Sequence, residues 1–390
     1  MLEAIGAALA GVHFGVPLAY YWRARRWLGR GWGIREDEGY APRVTVVVPT
    51  YNEAENIARR LDNVYQQDYP RDKLEVIVVD SASTDGTAEI AERWAREHPD
   101  VKTVVLREEE RRGKVHALNR ALRLASGEVV VIADADALWA PDALRRAVAK
   151  LADPSVGAVS CIKKPLATYG IEGVYRSYYN ALRVAESKAW STPIFHGELA
   201  AFRREALEAV GGFPTDIGAD DSHAATLIAL RGLRAIVADD VACGEAVPRR
   251  GYHAWRIRRA QHLVQHFWRV LTRPKTPRQF KAILYTEAYL HVVNPWLLPA
   301  AVALLLTSAL TGSIPAAALL GIGAVMTAYK PYRTWMAAQI YLITAAVRNL
   351  WTKEVVWRKQ DKSDAVAHRN TPNALAEGSG YPLPAMRLSA

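Results

Sequence analysis

Apolar positions along this chain fall into two regimes. Between about residues 43 and 245 they form short runs separated by polar clusters and by helix-period stretches. Outside that region they lengthen into segments of helix-spanning size. Val44 to Val48 predicts a strand that stops at Pro49, and Ile57, Leu61 and Val64 fall at helical spacing after it. Leu74 to Val79 predicts a second strand, ending at Asp80. Thr84-Asp85-Gly86-Thr87 then opens a helix that buries Ile90, Ala91 and Trp94. A third strand over Val101 to Leu106, a helix over Val115 to Ala125 and a fourth strand over Val129 to Ala133 complete the alternation. Such alternation predicts an α/β domain with a mainly parallel sheet covered by helices on both faces.

The flanking segments point to a membrane. Leu2 to Trp22 holds one acid, Glu3, and no lysine or arginine, and at 1.5 Å per residue it spans roughly 30 Å of hydrocarbon. Arg23, Arg25, Arg26 and Arg30 follow at once, which places the N-terminus outside and the next domain on the cytoplasmic side. The basic start of a cleaved signal peptide is missing. Apolar runs from about Ala288 to Leu310 and from Ile314 to about Tyr329, parted by Thr311-Gly312-Ser313, predict a transmembrane hairpin, and Lys330 and Arg333 return the chain to the cytoplasmic side. Thr334 to Trp351 is long enough to cross again. A crossing there would put Lys353, Arg358, Lys359 and Lys362 outside, so an interfacial helix with Trp335, Tyr341 and Trp351 at headgroup depth is the expectation. The competing reading of these C-terminal segments is a buried helix of a soluble bundle. The aromatic helices Ile171 to Trp190 and Trp255 to Trp268 are expected to seat the domain on the bilayer, although a buried aromatic cluster fits the first of them nearly as well.

The chain thus divides into an N-terminal span with its basic flank (1–30), a cytoplasmic α/β domain (43–250), an interfacial region (251–287), the hairpin (288–330), an amphipathic interfacial helix (331–352) and a polar tail (353–390). It is expected to be a multi-pass cell-membrane protein with about three spans. The formal charge of +10 suits a protein lying against anionic lipids and binding nucleotides. No basic stripe with interleaved aromatics marks the soluble region, so nucleic acid is not an expected partner. Cys161 and Cys243 are too few and too far apart for a disulfide framework or a zinc site.

The chemistry concentrates at strand ends, where ligands of open α/β sheets bind. Thr50-Tyr51-Asn52-Glu53, Asp80-Ser81 and Asp134-Ala135-Asp136 all lie there. Two carboxylates one residue apart suit a divalent cation carrying phosphate oxygens, although two solvated acids opening a turn would give the same spacing. No dinucleotide fingerprint or P-loop occurs at the strand–helix turns.

Taken in order, the motifs resemble the inverting family 2 glycosyltransferases of the GT-A fold, in their membrane-bound, cellulose-synthase-like and hyaluronan-synthase-like branch. They are Val48-Pro49-Thr50-Tyr51-Asn52-Glu53, Val79-Asp80-Ser81-Ala82-Ser83-Thr84-Asp85-Gly86-Thr87, Gly113-Lys114-x-x-Ala117-Leu118-Asn119, Asp134-Ala135-Asp136, Phe202-Arg203-Arg204 with Gly211-Gly212-Phe213, and Ala219-Asp220-Asp221. The resemblance covers about residues 44 to 260. It implies that Thr50, Tyr51 and Glu53 line a nucleotide pocket, that Asp80 meets the base, and that Lys114 reaches the donor near its diphosphate. Asp134 would contact the ribose or the metal, and Asp136 would bind Mg²⁺ or Mn²⁺ to stabilise the leaving nucleoside diphosphate. Asp221, with Asp220 beside it, would be the base that takes the proton of an acceptor hydroxyl. Helix capping is the alternative for Glu53, Asp80, Asp220 and Asp221, and a solvated basic loop the alternative for Lys114.

Two departures stand out. Ser81 replaces a second Asp found in many relatives. Arg256-Ile257-Arg258-Arg259-Ala260 keeps an arginine, Arg259 or Arg258, from the Gln-x-x-Arg-Trp motif of processive synthases, but not its Gln or Trp. An arginine still suits a diphosphate. The lost Trp, together with too few spans to enclose a polysaccharide channel, favours transfer of one sugar, mannose from GDP-mannose by family habit, to a lipid-linked glycan or polyprenyl phosphate. A processive synthase is the second enzymatic reading, and a catalytically silent nucleotide-binding membrane scaffold is the reading from another class. A nucleotidyltransferase would want a glycine-rich loop after the first strand, which Pro49-Thr50-Tyr51-Asn52-Glu53 is not.

Overall fold

The computed structural model describes residues 1–353 apart from 167–170 and 274. All but the first residue of the expected polar tail falls outside the described residues. In chain order the elements are α1 (Leu2–Leu28), β1 (Val44–Thr50), α2 (Ile57–Tyr65), β2 (Leu74–Asp80), α3 (Thr87–Glu97), β3 (Lys102–Arg107), α4 (Lys114–Leu122), β4 (Val129–Ile132), β5 (Leu138–Trp139), α5 (Ala143–Lys150) and β6 (Val156–Pro165). They continue with α6 (Glu172–Ala189), β7 (Ala200–Arg203), α7 (Arg204–Ala209), α8 (Asp220–Leu230), β8 (Arg234–Glu245), α9 (Tyr252–Leu271), α10 (Arg278–Ala288), α11 (Asn294–Leu310), α12 (Ile314–Met326) and α13 (Lys330–Arg348).

The strands form one sheet in the order β3-β2-β1-β4-β7-β6-β8-β5. Strands β1 to β4 are mutually parallel, as the alternation of short apolar runs with amphipathic helices predicts. The near-continuous valine runs of β1, β2 and β4 are buried, as in a parallel sheet covered by helices, whereas the edge strand β3 is only partly buried. The second half is mixed: β7 runs antiparallel to β4 and β6, β6 and β8 are parallel, and β5 is antiparallel to β8.

One boundary differs from expectation. Strand β1 does not stop at Pro49 but runs through it to Thr50. Val47 O accepts from Ala133 N, so residue 47, and with it residue 49, points its backbone groups toward β4. Strand β4 ends at Ile132, opposite Val47, so the N–H that proline lacks has no partner to lose.

Among the described residues, two helical units are long and apolar enough to cross a membrane. One is α1. The other is the 33-residue unit Arg278–Leu310, made of α10, a π-helical turn at Tyr289–Val293, and α11. The apolar run expected from about Ala288 therefore continues a helix that starts ten residues earlier. Helices α12 and α13 pass the same test only as a pair, bent by 103° at the break between them. Leu310, Ile314, Ile322 and Val325 stand exposed on this part of the molecule, as lipid-facing residues would.

Helices α1 and α11 lie antiparallel. Gly6 sits against Ala301, Leu304 and Leu305, Nδ1 of His13 is 3.0 Å from Asn294 O, and Ser313 Oγ donates to Glu3 at 2.5 Å. A small residue at position 6 lets the two backbones approach, the usual device of helix pairs in lipid.

Helix α6 corrects the expectation of an interfacial segment at Ile171 to Trp190. It is packed inside the protein against α1 and β8, because its second half carries charges that only internal partners satisfy. Arg183 Nη1 donates to Glu186 at 2.7 Å and Nη2 to Glu287 of α10 at 2.9 Å. Glu186 also accepts from Tyr20 of α1 at 2.6 Å and from Thr192 at 2.7 Å. The aromatic residues serve the same packing, Tyr178 stacking on Tyr21 of α1 at 5.7 Å. The buried arginine therefore pins both spanning units to the α/β domain. Arg183→Met would leave two buried carboxylates without their cation and is expected to cost about 3–5 kcal/mol of stability. Thermal unfolding in detergent would show it, and a midpoint equal to wild type would contradict the role given to Arg183.

Candidate active site

The C-terminal ends of β1, β2 and β4 open into one cavity of about 340 Å³, within the roughly 300–1,000 Å³ of ligand sites. Thr50, Tyr51, Glu53, Lys114, Asp134, Asp136, Asp220, Asp221, Arg258 and Arg259 all line it. Asp80 does not. Its carboxylate sits beneath the wall, accepting from Thr50 Oγ1 at 3.3 Å and from Ser83 N at 3.1 Å, while its neighbour Ser81 faces the cavity.

Lys114 is the first residue of α4, placed there by Gly113, whose φ of 99° suits only glycine. Its ammonium reaches across the crevice to Asp134 Oδ1 at 2.7 Å and Asp220 Oδ2 at 3.5 Å. Gly197 marks where the groups converge. A Cβ at that position would lie 2.9 Å from Lys114 Nζ, 3.3 Å from Asp221 Oδ2 and 3.5 Å from Asp134 Oδ2. No larger residue fits without displacing the ammonium.

Crowded carboxylates titrate abnormally. Burial, and then the charge of Asp220, push Asp221 up to about 7. Burial also raises Asp220, with Asp134 adding to it and Lys114 opposing. Burial disfavours the Lys114 ammonium, but Asp134, Asp220 and Asp221 outweigh it and hold the group protonated. A carboxyl group poised near neutrality beside an open cavity has the character of a general base. Neither acid caps α8. The residue before the helix is Ala219, and Asp221 Oδ1 accepts from the next amide, Ser222 N, at 2.6 Å.

Glu53 has a double role. Its side chain accepts from Asn56 Nδ2 at 2.6 Å and its carbonyl from the amides of Asn56 and Ile57, which starts α2, while the residue still lines the cavity. Tyr51 carries the Arg111 guanidinium 3.7 Å above its ring.

Among the described residues no three His, Cys, Asp or Glu side chains are grouped to hold a metal by themselves. The donors present still fit a magnesium-like ion: Asp136 and Asp134 offer hard oxygens into the cavity, and such ions complete their shell with water and substrate phosphates.

Several residues escaped the sequence reading. Lys163 is fully buried in β6, 2.6 Å from Glu198 and 3.7 Å from Glu245. Arg176 pairs with Glu245 at 2.6 Å, and Arg259 is bonded to the same carboxylate. This network forms the wall opposite the strand ends and ties down Arg259. Trp255, one turn before Arg259, stacks against its guanidinium at 4.8 Å, so an indole does adjoin this arginine, from the N-terminal side rather than from the position after it. Charged residues inside apolar strands, such as Lys163 and Glu245, were the available signal.

Behind the acidic turn, Arg60 of α2 donates to Ala137 O at 3.1 Å and lies 4.1 Å over the Trp139 ring, whose Nε1 donates to Glu198 O at 2.6 Å. That chain fixes the turn after Asp136 to the loop holding Gly197. Arg60 lies three residues after Ile57 and four before Val64, on the apolar face of α2, so its spacing marked it as inward-facing and only its charge hid it.

Comparison with known proteins agrees with this geometry. The profile described as "Glycosyl transferase family 2" matches residues 45–211, and that of "Glycosyl transferase family group 2" matches 129–347. A solved structure of mannosyltransferase PcManGT from Pyrobaculum calidifontis, in complex with GDP-Man and Mn²⁺, is 64% identical. It superposes with a TM-score of 0.84 over 90% of this chain and 99% of that one. Glycosyltransferase AglE of Haloferax volcanii is 36% identical over 118 residues, which is 30% of this chain and 38% of AglE. Beta-monoglucosyldiacylglycerol synthase of Synechocystis is 31% identical over 189 residues, 46% of this chain and 39% of that protein. The chain spans well under half the length of these two curated relatives. The match over more than half of its residues, together with the 64% identity along nearly a whole solved relative, shows that the chain belongs to the family 2 glycosyltransferases with a GT-A-type fold.

Proposed function

We propose that this protein transfers a single mannose, with inversion, from GDP-mannose to a lipid-borne acceptor at the membrane surface. The observation that carries the reading is the one cavity that holds Asp221 between two unlike halves. One half is the strand-end crevice with Thr50, Tyr51, Glu53 and the acidic turn. The other runs between α6, α9 and α13, past Tyr175, Tyr179, Ala338 and Leu342, toward the spanning helices. A soluble donor fits the first half and an amphiphilic acceptor the second. The donor assignment is supported by the 64% identical mannosyltransferase whose solved structure is a complex with GDP-Man and Mn²⁺.

In this reading Thr50, Tyr51 and Glu53 hold the nucleoside, with Asp80 bracing Thr50 from below. Asp136, with Asp134, would hold Mn²⁺ or Mg²⁺, which neutralises charge on the departing diphosphate. Lys114 stays protonated near that charge, and Arg258 and Arg259 approach it from α9 with planar guanidinium groups suited to paired oxygens. Asp221 removes the acceptor proton as the acceptor oxygen bonds to the anomeric carbon. The bond from that carbon to the diphosphate breaks, and its electron pair leaves on GDP. A base is needed for a hydroxyl and is superfluous for a phosphate, which is already ionised at neutral pH. The acceptor of choice is therefore a lipid-linked glycan hydroxyl, ahead of a polyprenyl phosphate.

The membrane arrangement follows the arginines after α1: N-terminus outside, α/β domain inside, α1 and the α10–α11 unit crossing, α12 returning the chain toward the inner face, and α13 lying along the interface there. Two crossing units and a bent pair enclose no wide channel, which supports single transfer over polymer synthesis.

Asp221→Asn is expected to lower kcat by about 10²–10⁴-fold with GDP affinity nearly unchanged. Titration with GDP and single-turnover rates would check it, and near-normal turnover would remove Asp221 from its role. Because the base works ionised, the wild-type rate should fall as pH drops through about 7 and level off above it. A rate independent of pH between 5 and 8 would count against the assignment. Asp136→Ala should abolish Mn²⁺-stimulated release of GDP from GDP-mannose, measured with and without a polyprenyl-linked acceptor. A ladder of products on a gel would sink single transfer.

A further inference from the structure

The segment that delivers the two acids to α8 is held from outside the α/β domain. Gly218 lies two residues before Asp220, and a Cβ there would be 2.2 Å from the His262 ring, so α9 rests directly on the backbone at this point. One side chain of α9 bonds that backbone: Gly218 N donates to Gln265 Oε1 at 3.2 Å. The other end of the same amide faces away. Gln265 Nε2 donates to Asn349 Oδ1 at 2.8 Å and to Lys353 O at 2.9 Å, just beyond the end of α13. A backbone N–H on one side and a carbonyl on the other fix which end of the amide is oxygen and which nitrogen. Gln261, one turn earlier and fully buried, repeats the grip by donating to Asn349 Oδ1 at 3.3 Å and to Thr352 O at 3.1 Å, while Asn349 Nδ2 returns a bond to Gln261 O at 3.3 Å. The second tie between α9 and this loop, Arg269 to Asp216, is exposed and contributes little.

We propose that Gln265 is a positioning residue that joins the end of α13 to the loop carrying Asp220 and Asp221. The placement of the catalytic base then depends on how α13 is seated. Asn349 holds the Gln265 amide in the orientation that lets its oxygen meet Gly218 N. Without Asn349 the amide keeps only Lys353 O as its outer acceptor, and the loop's acceptor is less firmly fixed. A shift of the base by a fraction of an ångström is enough to slow proton removal.

The kinetic part of the test rests on the reading of Asp221 as the base, and the exchange part does not. Asn349→Ala lies outside the cavity and removes one of the two outer acceptors of Gln265 together with the bonds to Gln261; Gln265→Glu keeps an oxygen for Gly218 N but sets a carboxylate against Lys353 O. Hydrogen exchange of the full-length protein in detergent would be followed over residues 211–221, with kcat for GDP-mannose turnover and titration with GDP alongside. In both variants exchange of that segment should quicken and kcat should fall about tenfold, with GDP affinity unchanged. The double variant should be no slower than the worse single one, as expected of residues acting through one contact. Unchanged exchange in Asn349→Ala overturns the coupling. Faster exchange with unaltered kcat overturns the positioning role, and strictly multiplicative losses in the double variant show that the two residues act separately. Wild-type protein inactive on GDP-mannose but with the exchange response intact would refute the donor and leave the coupling standing.

Discussion

Carboxylates gathered in one crevice repel one another, and the site exists only because Lys114 is driven into their midst. Its ammonium touches Asp134 and Asp220 and approaches Asp221 over the bare α-carbon of Gly197. Much else follows from that placement. Strand β4 and helix α8 belong to different halves of the sheet, and the lysine supplies the attraction that lets their acids face each other. It also divides labour among the acids. Asp134 and Asp220 hold the cation closely, whereas Asp221, farther from it and next to Asp220, is left with the affinity for a proton that a base requires.

The same logic recurs on a larger scale. Two sets of buried charges in this protein form compensated groups, and each group joins elements distant in sequence: Lys163, Arg176 and Arg259 with Glu198 and Glu245 at the cavity wall, and Arg183 with Glu186 and Glu287 at the junction with the membrane helices. Such groups are demanding in geometry, since a displaced member leaves another charge stranded. The α/β domain and its membrane helices therefore act as one body, and the cavity can run unbroken from one to the other.

The parallel half of the sheet was legible because its strands are apolar on both faces and end in polar clusters. The order of motifs from Val48 to Asp221 likewise led to the strand-end side of the cavity lining; of the site residues named from it, Asp80, set behind Thr50, is the one that does not reach the cavity, and the lining from α6 and α13 carried no such motif. The mixed half was less readable. Strand β5 has two residues, and β6 and β8 carry Lys163 and Glu245 where periodicity expects apolar positions. Helix α6 misled because tyrosines at headgroup depth and tyrosines packed against α1 make the same pattern. The decisive information, Arg183 opposite Glu287, lies 104 residues apart in sequence. Pairings of that reach leave no local mark.

The antiparallel contact of α1 with α11 has a consequence for how the molecule is made. Helix α1 leaves the ribosome before the α/β domain, yet His13 meets Asn294 and Glu3 meets Ser313 only after that whole domain has been synthesised. Domains generally fold as units during synthesis, N-terminal parts first. The sheet must then form while α1 sits in lipid without its mate, and closure of the membrane pair follows the sheet. A helix made before the sheet finds its place only after it, so the bilayer itself must shelter it in the interval.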